Sequence, residues 1–220
     1  MAAHPSDDSI LASKIFPGFP LLYDLVYAEI KDLSPTQLDW SSDNWAWSSW
    51  SIRRQVSHIP SFIYGWLLIR WGNQLFPCGT QSLGKIGCFI PSQEGSWLDE
   101  TEYPDMSSVL SKFQDGLDLV AHILAHETYG SMRMKEESRP DTPPHWAQFI
   151  NAHPSGVRWH PTEPNFTYIT LEATFRHLYY ETLTHLYNIQ RLKRAQGLTT
   201  ASSIPDEGYW VLPDWDRSEP

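Results

Sequence analysis

Cysteine is almost missing from this chain: 220 residues carry only Cys78 and Cys88. Two thiols cannot build the disulfide framework of a small secreted scaffold, and their spacing is not that of a zinc finger. They share a Gly-rich stretch and could pair, but two free thiols in a reducing compartment are the expectation. Basic charge is scarce too. Sixteen Lys and Arg face 26 Asp and Glu, a net charge of −10. Beyond the pairs Arg53-Arg54 and Lys193-Arg194 there is no basic cluster. A phosphate backbone would be repelled, so nucleic acid is not an expected partner. Long apolar runs are absent. The longest, 62–71, is too short to span a bilayer and contains Arg70. Residues 1–8 are polar and acidic, without the basic and apolar regions of a secretory leader. No internal repeat or low-complexity tract interrupts the sequence. The expectation is one soluble, cytoplasmic domain over 1–220, with no membrane partner.

Tryptophan, by contrast, is abundant: eleven, several in loop-like stretches. Such residues pack cores most often, and they also line pockets. Four segments have helical periodicity. In 20–33 the apolar positions are Leu21, Leu22, Leu25, Val26, Ile30 and Leu33. A short turn follows, with Ser34 as N-cap, Pro35 at N1 and Gln37 at N3, the pattern of a capping box. Ser51 can cap a second helix running to about 71 along Ile52, Val56, Ile59, Ile63 and Trp66. Pro60 lies inside it and should kink it just after His58. The third helix spans about 106–128. The fourth and longest spans about 170–196, stopped by Gly197. Between helices two and three, 72–104 reads as a long loop with room for short strands. Between helices three and four, 129–166 reads as an ordered flap. An aromatic tail, 204–220, should pack back on the helices. The fold class is therefore all-α, a four-helix bundle with long loop insertions between helices 2-3 and 3-4.

Three residues stand out chemically. Glu181 and His185 are four apart on the fourth helix and point the same way. His58 lies on the second. A carboxylate and two imidazoles are ligands that Zn²⁺ uses, and three protein ligands leave a coordination position open. The plainer alternative is a surface ion pair and an unrelated histidine. Against it, His185 falls on the apolar stripe between Thr182 and Ile189, where a buried Glu181 would need a partner. His122 and His126 form a rival i,i+4 pair, although histidines at a helix C-terminus also suit the dipole. His177, one turn before Glu181, is a candidate outer partner. His160 is a candidate to reach the site from the flap, and Tyr180 a weak candidate proton donor.

The segment Trp50-Ser51-Ile52 followed by Val56-Ser57-His58-Ile59 resembles the opening of helix two in the DinB-like superfamily of metal-dependent four-helix bundles. His185-Leu186-Tyr187-Asn188-Ile189, with Arg191 and Gly197 beyond it, resembles that family's helix four. The resemblance implies metal-ligand positions at His58 and His185. Glu181 stands where the family usually has His, a set similar to the mycothiol-dependent maleylpyruvate isomerase branch. Asn188 stands where Gln is common and is placed as an outer partner. The two long loops exceed the family's usual connections. The resemblance implies a divalent metal, zinc or nickel, with a low-molecular-weight thiol as a possible co-substrate. It also implies isomerase, thiol transferase or hydrolase chemistry. The aromatic loops and scarce basic residues suit a small aromatic or polyketide-like substrate rather than a sugar phosphate. The alternative is a non-catalytic metal- or ligand-binding bundle with a structural metal. A homodimer is compatible with either.

Overall fold

The computed structural model describes residues 8–140, 145–163 and 166–220. A short α1 (Ala12–Ile15) precedes the first expected helix, which begins as a 3-10 turn at Phe19–Leu21 and continues as α2 (Leu22–Ile30). The capping box then forms as the sequence requires, starting α3 (Pro35–Asp39). Gln37 N–H donates to Ser34 Oγ at 3.3 Å, and Ser34 N–H donates to Gln37 Oε1 at 2.8 Å. Ser51 Oγ likewise accepts from Arg54 N–H at 3.3 Å and opens α4 (Ile52–Tyr64). The apolar stripe of α4, Ile52, Val56, Ile59 and Ile63, is fully buried. The helix runs through Pro60 and widens into a π-helical turn at Gly65–Arg70, with α5 (Gly72–Leu75) beyond it.

The first long insertion is mostly loop, as expected, with a 3-10 segment at Gln81–Gly87 and an isolated bridge between Pro91 and Leu98. It ends where Asp105 caps α6 (Met106–His126). The second insertion departs from the all-α expectation. It folds into α7 (Tyr129–Met134), β1 (Glu136–Pro140), α8 (His145–Ala152), β2 (Val157–Trp159) and β3 (Phe166–Thr170). The strands form an antiparallel sheet in the order β1-β3-β2, with Ile169 opposite both Glu137 and Val157. The protein is thus mostly helical with a small three-stranded sheet. The physical reason lies in β3, whose sequence Phe-Thr-Tyr-Ile-Thr alternates aromatic and β-branched side chains and buries Thr167 and Ile169. Thr170 ends that strand and caps α9 (Leu171–Ala195), accepting from Ala173 N–H at 3.1 Å.

At its far end α9 stops at Gly197, whose φ of +72° is inexpensive only without a Cβ. Leu198 N–H reaches back to Lys193 O at 2.9 Å, as in a Schellman cap. The four longest elements close on one another: α2 packs on α6 and α9, and so does α4. Val26, Ile59, Phe113, Phe175, Leu178 and Ile189 fill the space between them and are fully buried. Each such side chain contributes roughly 1.5–3 kcal/mol. The aromatic tail returns as expected. Arg191 on α9 donates to the carbonyl oxygens of Asp216 and Ser218 at 2.9 and 3.1 Å, and Trp47 Nε1 donates to Ser218 Oγ at 3.1 Å. Among the described residues no helix is long and apolar enough to cross a membrane.

Candidate metal centre

The packing of α4 on α9 brings His58 opposite Glu181 and His185. One ligand atom from each lies within 4.8 Å of the others, the only such group of His, Cys, Asp or Glu among the described residues. His185 Nε2 is 3.6 Å from a Glu181 carboxylate oxygen, and the His58 and His185 rings are 4.6 Å apart. His185 is buried, whereas 28% of the Glu181 side chain is exposed. The group is therefore sealed on the core side and open along one edge.

The outward hydrogen bonds fix how the rings face. His58 Nδ1 donates to the backbone carbonyl of Ser96. His185 Nδ1 donates to Gln55 Oε1 at 2.5 Å. A neutral imidazole that donates from Nδ1 keeps a lone pair on Nε2. Two Nε2 lone pairs and one carboxylate then converge. Among the described residues the one ion-pair contact of Glu181 is with His185 Nε2 at 3.6 Å. With both imidazoles neutral and donating outward, the three inward acceptors repel one another, and a cation between them removes the conflict. Two imidazole nitrogens and a carboxylate oxygen suit Zn²⁺ and also Ni²⁺. The residues present therefore fit a divalent metal.

The charge states agree. Burial, reinforced by the neighbouring His185, lowers the His58 pKa to about 4, against a weaker upward pull from Glu181 and the Ser96 carbonyl. His58 is neutral at pH 7, as a ligand must be. Burial alone would raise Glu181, but the His185 imidazole beside it, with His177 and His58, outweighs this and holds it at about 2.

Aromatic rings wall the group. Trp50 lies parallel to His185 at 6.2 Å and edge-on to His58 at 5.2 Å. Phe62 is 5.2 Å from His58, and Trp97 meets Trp50 edge-on at 5.8 Å. The first insertion contributes more than rings. Leu98 N–H donates to Ser57 Oγ at 3.1 Å, which pins the 96–98 segment to α4 and aims the Ser96 carbonyl at His58.

The other singled-out residues separate clearly. His177 is tied to the tail: its Nδ1 is 2.8 Å from Tyr209 Oη, which is also 2.8 Å from His153 Nε2. Trp66, from the π-helical turn, meets His177 edge-on at 5.1 Å. Tyr180 packs on Tyr209 and His153. Asn188 is engaged elsewhere, accepting from Arg191 Nη2 at 2.5 Å, so Gln55 rather than Asn188 holds the outer nitrogen of His185. His160 organises its own loop by accepting from Glu163 N–H at 2.9 Å, and it stacks on Tyr168. His122 and His126 are exposed and face each other on α6, with His126 Nδ1 2.7 Å from the His122 carbonyl oxygen. They do not join the triad. Cys78 and Cys88 are unpaired and exposed. Gln55, Ser96 and Tyr209 escaped the sequence reading. Gln55 alone left a trace, three positions before His58 on the same helix face.

Comparison of this chain with family models, with curated proteins and with solved structures gives no match.

Proposed function

We propose that this protein is a metal-dependent enzyme of the DinB-like four-helix type, with one divalent cation held by His58, Glu181 and His185. The observation that supports this reading best is the convergence of the Glu181 carboxylate with two imidazoles whose Nδ1 atoms are engaged outward, so that Nε2 of each is left for the common point. Zinc is the metal the donor set favours, with nickel as the second choice. When bound, it supplies Lewis acidity toward a polar substrate group. The chain supplies the rest. Gln55 and Ser96 lock the two imidazoles. Trp50, Phe62 and Trp97 exclude water and offer flat faces to an aromatic or polyketide-like molecule. The exposed edge of Glu181 is the side from which such a molecule approaches. His177, one helical turn away and backed by Tyr209, is placed to hold or pass a proton. Isomerisation, thiol transfer and hydrolysis all use this equipment, with a small thiol as co-substrate in the second. A cytoplasmic setting agrees with two unpaired thiols.

The test is metal analysis of protein purified without chelator. About one zinc or nickel per chain is expected for the wild type and none for His185→Ala. Full occupancy in His185→Ala would overturn the triad.

A further inference from the structure

On the flank of α9 next to the metal centre lies a cleft of about 600 Å³ that the chemistry above does not use. It is bounded by the segment before α2 on one side and α9 on the other, with walls from Phe16, Phe19, Tyr179 and Tyr180. Its volume falls in the range of small-molecule sites, roughly 300–1,000 Å³. Its shape depends on Gly18. A Cβ there would sit 2.4 Å from Tyr179 Oη, so the tyrosine can lie across the chain only because that position has no side chain.

Two opposite charges face this cleft. Arg176 uses Nε to hold the buried Glu172 carboxylate, and among the described residues its two terminal nitrogens have no partner. Glu207, from the tail, has no side-chain hydrogen bond or ion pair among the described residues. The two are not paired with each other, although they line one cavity. A guanidinium with its outer edge free binds a carboxylate through two parallel hydrogen bonds. A separate carboxylate beside it receives an ammonium group. Aromatic walls receive a flat apolar body.

We propose that this cleft is a second small-molecule site, built for an amphoteric aromatic compound of the α-amino-acid type. Arg176 takes the carboxylate, Glu207 the ammonium, and the ring lies among Phe16, Phe19 and Tyr179. The cleft is separate from the metal centre in its lining, which includes none of His58, Glu181 and His185.

The probes are L-tryptophan, tryptamine (no carboxylate) and indole-3-propionate (no amine), titrated into full-length protein stripped of metal by chelator. Binding is followed by calorimetry and by saturation-transfer NMR of the ligand. Tryptophan should bind saturably, and each analogue about tenfold more weakly, the cost of one charge-assisted contact. Arg176→Lys keeps a cation beside Glu172 but loses the planar fork. It should weaken tryptophan and indole-3-propionate while leaving tryptamine unchanged. Glu207→Gln should weaken tryptophan and tryptamine while leaving indole-3-propionate unchanged. Absence of saturable binding up to about 10 mM would overturn the proposal, since such affinity is weaker than about −3 kcal/mol. Equal binding of the three compounds, or variant losses that do not follow the missing group, would overturn it too. His185→Ala should bind tryptophan like the wild type. Loss of binding there would place the ligand on the metal ligands, ending this proposal while leaving the metal reading intact.

Discussion

Helix α9 takes part in two buried polar groups, and they are wired in opposite ways. Near its C-terminal end, Glu29 of α2 is almost fully buried, yet both its oxygens are saturated. Lys193 Nζ is 2.6 Å away, Gln190 Nε2 2.7 Å, Ser202 Oγ 2.7 Å and Ser202 N 2.8 Å. Burial alone would raise this carboxyl, but Lys193 first, then Ser202 and Gln190, holds it below its ordinary value. Three turns earlier, Glu181 is more exposed, and its one ion-pair contact among the described residues is His185 Nε2 at 3.6 Å. The first group is completed by the chain. The second is left with a single ion-pair contact. A polar cluster that serves the fold satisfies its own charges, and one that serves chemistry leaves them aimed at a common point.

The contrast can be broken by mutation. Lys193→Ala strands a buried carboxylate and should cost about 3–5 kcal/mol in urea unfolding, with metal content unchanged. Glu181→Gln, assayed in metal-free protein, loses the attraction to His185 but strands no buried charge, and should cost only about 1–2 kcal/mol. Equal losses in the two variants would erase the distinction.

Acid offers a second probe of the metal-side half. Burial, with His177 and Arg176 nearby, lowers the His153 pKa to about 3 from an ordinary 6.5. The unfolded chain therefore takes up a proton first as pH falls. The contribution to stability is complete above pH 6.5 and is lost on the way down to pH 3, at about 1.4 kcal/mol per unit. Unfolding curves of metal-free protein at pH 7, 6 and 5 should show this slope added to that of His58, and His153→Gln should remove about half of it. An identical slope in the variant would assign the acid sensitivity to other groups. A further probe is Gln55. Gln55→Leu removes the acceptor on His185 Nδ1 and should weaken zinc binding about 10–100-fold. Unchanged affinity in a zinc titration would show that this hydrogen bond does not set the ring.

Much of this was readable in the sequence where the signal is local. The caps at Ser34 and Ser51, the stripes of α4 and α9 and the stop at Gly197 each depend on residues within a turn or two. Glu181 and His185 pair by their spacing, whereas His58 joins them chiefly through the resemblance of its segment to helix two of the DinB-like superfamily. The sheet was harder to read, because β2 and β1 are short and offer little alternation, and only pairing with β3 makes them strands. The outer ligand shell was harder still. Ser96 acts through a backbone carbonyl, which any residue type supplies. Asn188 is close enough in sequence to His185 to suit an outer partner, but Arg191, three residues on, occupies it.

His58, Glu181 and His185 come from helices in opposite halves of the sequence. A cation bound there belongs to the folded chain alone, because the unfolded chain does not hold α4 and α9 together. Occupancy then shifts the folding equilibrium by mass action. At free metal a thousandfold above Kd the gain is about 4 kcal/mol. The melting temperature of this protein should therefore report the free metal concentration around it, rising and falling with supply even while every contact inside the bundle stays the same.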